Sequence, residues 1–172
     1  MNIAKIAAVC ALVTLTVGLG VSTESRGAPA SIADPSPDQI KGKAYRLERA
    51  YLVTVHVPSA IVDKVLQSVV AAVGLEYGKY DQVAYIDAQG LEQFRPISGS
   101  KAGAQSRAGR APTKVVSFSL VHDAAVLKNA LDAIYQAHNY EEPVVYVSEV
   151  WRTRSSNPDE ANPNRWWNQK PK

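Results

Sequence analysis

The run His138-Asn139-Tyr140-Glu141-Glu142-Pro143 places an imidazole, a phenol and two carboxylates side by side. Imidazole nitrogen and carboxylate oxygen are both good donors to divalent first-row ions, so His138, Glu141 and Glu142 are the candidate ligands for a metal ion. The same run also reads as a structural turn, in which His138 and Tyr140 orient the chain and the glutamates accept backbone hydrogen bonds. A second set, Arg95, Lys101 and Arg107, with Arg110 nearby, is scattered among Gly99, Gly103 and Gly109. Such cations neutralise a small anion, and glycines let the backbone approach it, although no phosphate-binding fingerprint accompanies them. Trp166 and Trp167, flanked by Arg165 and Lys170, form a third set: large aromatics in a polar tail are suited to docking on a partner.

Other chemistries are excluded or lack their parts. His56 and His122 have no serine and carboxylate in a nucleophile setting, so a hydrolytic triad is not supported. Cys10 is the only cysteine and lies in an apolar N-terminal run. A processed chain would therefore contain no thiol nucleophile, disulfide or thiolate metal site. The formal charge is +3 for the whole chain, too near neutral for nucleic-acid binding to be expected.

The elements that must position these residues follow from periodicity. Residues 51–57 (Tyr-Leu-Val-Thr-Val-His-Val) suit a strand closed by Pro58. Ser59 is the expected cap of a helix in which Ile61, Val62, Val65, Leu66, Val69, Val70 and Val73 recur at three- and four-residue spacing, stopped by Gly74. Residues 82–87 and 91–97, separated by Ala88-Gln89-Gly90, read as a hairpin of two strands, and 98–112 as a mobile loop. Residues 114–121 alternate as a strand with one buried face. Asp123 is the expected cap of a second helix, whose inner face is Val126, Leu127, Ala130, Leu131 and Ile134. Residues 143–150 are the last strand. The order strand, helix, strand, strand, helix, strand predicts an α+β, ferredoxin-like βαββαβ domain: a four-stranded antiparallel sheet with two helices on one face. Its uncovered face carries enough apolar surface that self-association is expected.

Outside that body, residues 1–30 have the layout of a signal peptide: Lys5, an uncharged apolar run, then Ala28-Pro29-Ala30. The run of roughly 16 residues is shorter than the roughly 20 needed to span a bilayer. Export to the periplasm or beyond is therefore expected, with 31–44 as a linker, 45–150 as the folded domain and 151–172 as a flexible basic and aromatic tail.

The motifs resemble those of the PII/CutA-like insert domain of the YqfO-type, NIF-three-like proteins. The resemblance covers about residues 51–150. It rests on Val57-Pro58, Gly78 with Tyr80-Asp81, Gly90, Phe94-Arg95-Pro96, Gly99, and Ala137-His138-Asn139-Tyr140-Glu141-Glu142-Pro143. Asn139 stands where that family usually has Pro, and Gln82 where it commonly has His. The resemblance implies a PII/CutA-like fold, commonly a trimer with clefts between subunits where small ligands or metal ions bind. Larger relatives carry a dinuclear metal site on a separate α/β body that these residues do not supply, so no hydrolase activity is implied. The expectation is a non-enzymatic, homo-oligomeric binding or sensing protein for a divalent ion or small anion. The alternative is an interaction module that docks a cell-envelope protein through its tail.

Overall fold

The computed structural model of the protein describes residues 40, 42–156 and 161–169. The expected signal peptide, and most of the expected linker, lie outside the described residues. The elements are β1 (Tyr45–Pro58), α1 (Val62–Val73), β2 (Tyr85–Ile86), β3 (Gly90–Phe94), β4 (Gly109–Val121), α2 (Ala124–Ala137) and β5 (Val145–Ser155), followed by a short 3₁₀ turn, Trp166–Asn168. All pairing is antiparallel, with β1 between β4 and β5, and with β2 and β3 both on the outer side of β4.

Alternation in the two central strands builds the core. Val53, Val55 and Val57 of β1 and Val116, Phe118 and Leu120 of β4 are buried on one face, against Val62, Val65 and Val69 of α1 and Ala130, Ala133, Ile134 and Ala137 of α2. The fold is thus α+β and ferredoxin-like, with both helices on the same face of the sheet. The opposite face carries Leu52, Thr54 and His56 in register with Ser119, Ser117 and Val115, a mixed surface that no helix among the described residues covers.

The helix limits have local causes. Asp123 accepts hydrogen bonds from the N–H groups of Ala125 and Val126, at 2.7 and 3.1 Å, and so caps α2 as its sequence predicts. Gly74 closes α1 with φ 73° and donates to the Val70 carbonyl at 2.8 Å, a left-handed ending that glycine adopts without a Cβ penalty. Ser59 caps nothing. It lies in a 3₁₀ turn, Ser59–Ile61, between Pro58 and α1, and its enclosed hydroxyl has no hydrogen-bond partner.

Three expectations are corrected. Residues 82–87 and 91–97 do not pair with each other; β2 and β3 are successive pieces of one edge position, both paired with β4. Ala88-Gln89-Gly90 is therefore a break in an edge strand and not a hairpin turn, and the two pieces together fill the fourth strand position of the fold. The true hairpin joins β3 to β4, so 109–112, expected in a loop, are strand residues. Likewise 151–155, expected in the tail, continue β5 in register with 45–49 of β1, because this lengthened partner offers them a complete ladder.

Candidate functional site

The 95–108 connection is organised by its own hydrogen bonds. Gln105 N–H donates to the Pro96 carbonyl at 3.0 Å, Gly103 N–H to Ser100 at 2.9 Å, and the Arg95 guanidinium to the Gln105 carbonyl at 3.4 Å. Gly99 and Gly103 take φ of 95° and 72°, which explains two of its glycines. The loop leans on the turn after α2: the Glu141 carboxylate accepts the Lys101 N–H at 3.0 Å. Between loop and turn lies a cleft of about 950 Å³, with Phe94, Arg95, Ile97 and Lys101 on the loop side and Tyr140, Glu141, Glu142 and Val144 on the turn side.

His138 anchors the turn from below. Its residue is 8% exposed; Nε2 donates to the His56 carbonyl at 3.0 Å, and Nδ1 accepts the Tyr140 N–H at 3.0 Å. Both nitrogens are occupied, which fixes the Nε2–H tautomer and leaves no lone pair for a metal ion. The ring also meets Tyr140 edge-on at 4.9 Å. Among the described residues there is no group of three or more His, Cys, Asp or Glu side chains that could hold a metal. The geometry gives His138 the structural role, and brings only Glu141 and Glu142 of the proposed ligand set to the cleft.

Of the cationic set, Arg95 and Lys101 line the cleft and Arg107 does not. Arg110 is spent on a cross-strand hydrogen bond to Gln93 at 3.1 Å. The cleft floor contains a residue that sequence reasoning missed: Glu92, whose side chain is only 14% exposed and accepts from His56 Nδ1 at 3.2 Å. Thr113 Oγ1 lies 3.5 Å from the other Glu92 oxygen. Only the strand register, which sets His56 of β1 opposite Val115 and Glu92 of β3 opposite Ala111 on the two sides of β4, with Thr113 between those two positions, brings the three together. The Tyr140 hydroxyl is enclosed with no hydrogen bond of normal geometry. Burial raises its pKa above the ordinary 10.0; Thr113 works the other way, and the nearby Glu92 carboxylate adds to the rise.

His122 sits apart, stacked on Tyr51 at 4.5 Å and 3.4 Å from the Glu149 carboxylate. Trp166 and Trp167 take no part in the cleft either.

No family model matches the chain, and no curated protein matches it. Solved structures align with it. A Bacillus cereus protein related to NIF3 aligns with a TM-score of 0.51 and 21% identity, over 60% of this chain and 26% of that one. CutA1 from Oryza sativa aligns with a TM-score of 0.43 and 11% identity, over 63% and 84% of the two chains. The GlnK–ATP complex of B. subtilis gives 0.41 and 9%, over 59% and 82%. The chain thus spans about a quarter of the length of the NIF3-related protein. The structural neighbours are of the NIF3-related, CutA and PII kinds that the sequence motifs resemble, and what the likeness to the first of them establishes is the fold.

Proposed function

We propose that the protein is a non-catalytic binding or sensing domain that takes a small organic anion in the cleft between the 95–102 loop and the 139–144 turn. The observation that carries this reading is the pairing of Arg95 and Lys101 with an apolar wall of Phe94, Ile97 and Val144 in one concavity. Of the three carboxylates there, Glu92 is engaged by His56, Glu141 by the Lys101 N–H, and Glu142 is exposed to solvent, whereas the Lys101 ammonium enters no ion pair among the described residues. An anionic group therefore finds cations available at the loop, and an apolar body finds surface to bury. Binding is preferred to catalysis because His138, the imidazole under the turn, has both nitrogens committed and offers no general base. A divalent ion at Glu141 and Glu142 is the second reading, favoured by their shared place in the cleft.

The same proposal includes a homo-oligomer, most simply a trimer, since the uncovered sheet face exposes Leu52 and Tyr146 and the edge strands expose Tyr85, Leu91 and Phe94. It also includes export, motivated by residues 1–30. No helix among the described residues is long and apolar enough to cross a membrane.

Calorimetric titration against citrate, inorganic phosphate, nucleotides, zinc and copper tests the binding reading, with light scattering for the assembly. Saturable binding of an anion, weakened about ten-fold by Arg95→Ala or Lys101→Ala, is expected from the loss of one charged hydrogen bond. Unchanged affinity in both variants discards the cleft, and a stable monomer at micromolar concentration discards the oligomer.

A further inference from the structure

Residues 162–169 are tied together by local hydrogen bonds. Asn162 is the hub: its carbonyl accepts the Arg165 N–H at 3.1 Å and the Asn168 side-chain amide at 2.9 Å, and its side chain accepts the Asn164 N–H at 2.9 Å. Asn168 N–H donates to the Arg165 carbonyl at 3.0 Å, closing the Trp166–Asn168 turn. Several polar groups are thus paired within a few residues, although Arg165 Nε is enclosed without a hydrogen bond among the described residues, and the largest apolar side chains are not buried. Trp166 is 73% and Trp167 44% exposed, their rings perpendicular at 5.8 Å, with the Arg165 guanidinium over Trp167 at 5.7 Å. A turn that orders itself while leaving two indoles in water gains little from burial in its own fold.

The charge around the indoles indicates what they meet. From residue 161 to the end the sequence has three cations, Arg165, Lys170 and Lys172, and no Asp or Glu. Indole combines an apolar body with one N–H donor and favours the boundary between hydrocarbon and water, and neighbouring Lys and Arg are attracted to anionic headgroups there. A polyanion in solution would engage the cations but give the indoles no apolar phase. We propose that Trp166 and Trp167, with Arg165, are a docking element for the surface of an anionic phospholipid bilayer.

The test uses the full chain with excess vesicles whose acyl chains are brominated, made of phosphatidylglycerol or of phosphatidylcholine. Bromine quenches only an indole that enters the acyl boundary, so the tail is read whether or not residues 1–30 also hold the protein to the vesicle. The double variant Trp166→Ala/Trp167→Ala isolates their emission from that of Trp151, and neither residue belongs to the core. Brominated phosphatidylglycerol is expected to quench the share of emission that the double variant lacks, and phosphatidylcholine to leave it unchanged. Replacing Arg165, Lys170 and Lys172 by Ser should weaken this quenching, by about five-fold in lipid affinity per cation. The proposal is overturned if that share is not quenched at lipid excess, or is quenched equally by both lipids. It is also overturned if acrylamide cannot reach these indoles before lipid is added, which would mean that protein already covers them.

Discussion

Two connections occupy matching places in this fold, each leading from a helix back to a strand, and they are held in opposite ways. The first, residues 74–84, is closed by its own backbone: Gln82 N–H donates to the Gly74 carbonyl at 3.0 Å, Val83 N–H to Leu75 at 2.9 Å, and Tyr77 and Tyr80 exchange two bonds. Its anchor is apolar, Leu75 at 1% exposure, held at φ 53°. One of its side chains, Tyr77, serves the sheet. The Tyr77 hydroxyl donates to the Thr153 carbonyl at 2.6 Å, and its ring lies under the guanidinium groups of Arg152 and Arg154. The second, residues 138–144, is anchored by a side chain, His138, whose two nitrogens replace the backbone bonds the first turn makes for itself. Tyr140, whose N–H bonds one of those two nitrogens, lines the cleft together with Glu141 and Glu142. What separates the two turns is that His138 is a polar anchor bonding backbone groups through both ring nitrogens, whereas Leu75 anchors by apolar burial and leaves the bonding to the backbone.

The largest effect that tests this contrast is at Leu75. Leu75→Ala is expected to cost about 2–5 kcal/mol, the usual range for truncating a buried leucine, read as a lower denaturation midpoint with an unchanged slope. Its effect should be on the fold alone. His138→Ala follows, at about 1–3 kcal/mol, because it strands the carbonyl of the half-buried His56 and frees the Tyr140 N–H. That loss should be the same with and without zinc. Melts of both variants, each with and without the metal, decide between the structural imidazole and a ligand: a wild-type stabilisation by zinc that His138→Ala abolishes would return His138 to a metal site.

The same contrast explains what could be read from the residues. The period of Val62, Val65 and Val69, the cap at Asp123 and the stop at Gly74 are local signals, so α1, α2 and the two central strands were legible. The edge was not. Gly90 with two small or polar neighbours looks like a turn, yet whether such a break reverses the chain depends on which ladder is available, and β4 offers its outer side to both β2 and β3. Residues 151–155 were missed for a similar reason: Trp-Arg-Thr-Arg-Ser carries little strand signal alone and pairs because β1 extends back to Tyr45. At the site, the chemistry of His138, Glu141, Arg95 and Lys101 was visible as residue types, but the occupancy of both imidazole nitrogens is a tertiary fact. Glu92 needed the register of three strands before it could be placed near His56 at all.

The smallest expected effect lies at Tyr140, where the second connection encloses a phenol. Its hydroxyl makes no hydrogen bond of normal geometry, so Tyr140→Phe removes a polar group that has little to lose, and near pH 7 stability should change by no more than about 0.5–1 kcal/mol, as when an unsatisfied hydroxyl is deleted. The informative part is alkaline. Burial, with help from Glu92, raises the folded pKa above the ordinary 10.0. The folded protein therefore holds this proton where the unfolded chain begins to release it. The resulting stability is fully present below about pH 10, the ordinary phenol value, and is lost as pH rises through the raised folded value. The phenyl ring of the variant has no proton to hold, so urea midpoints of wild type and variant should keep a constant difference up to about that pH. Above it the wild type should fall relative to the variant. Parallel curves through the alkaline limb would show that the turn does not enclose this phenol, and would remove the contrast with the open, backbone-closed turn at 74–84.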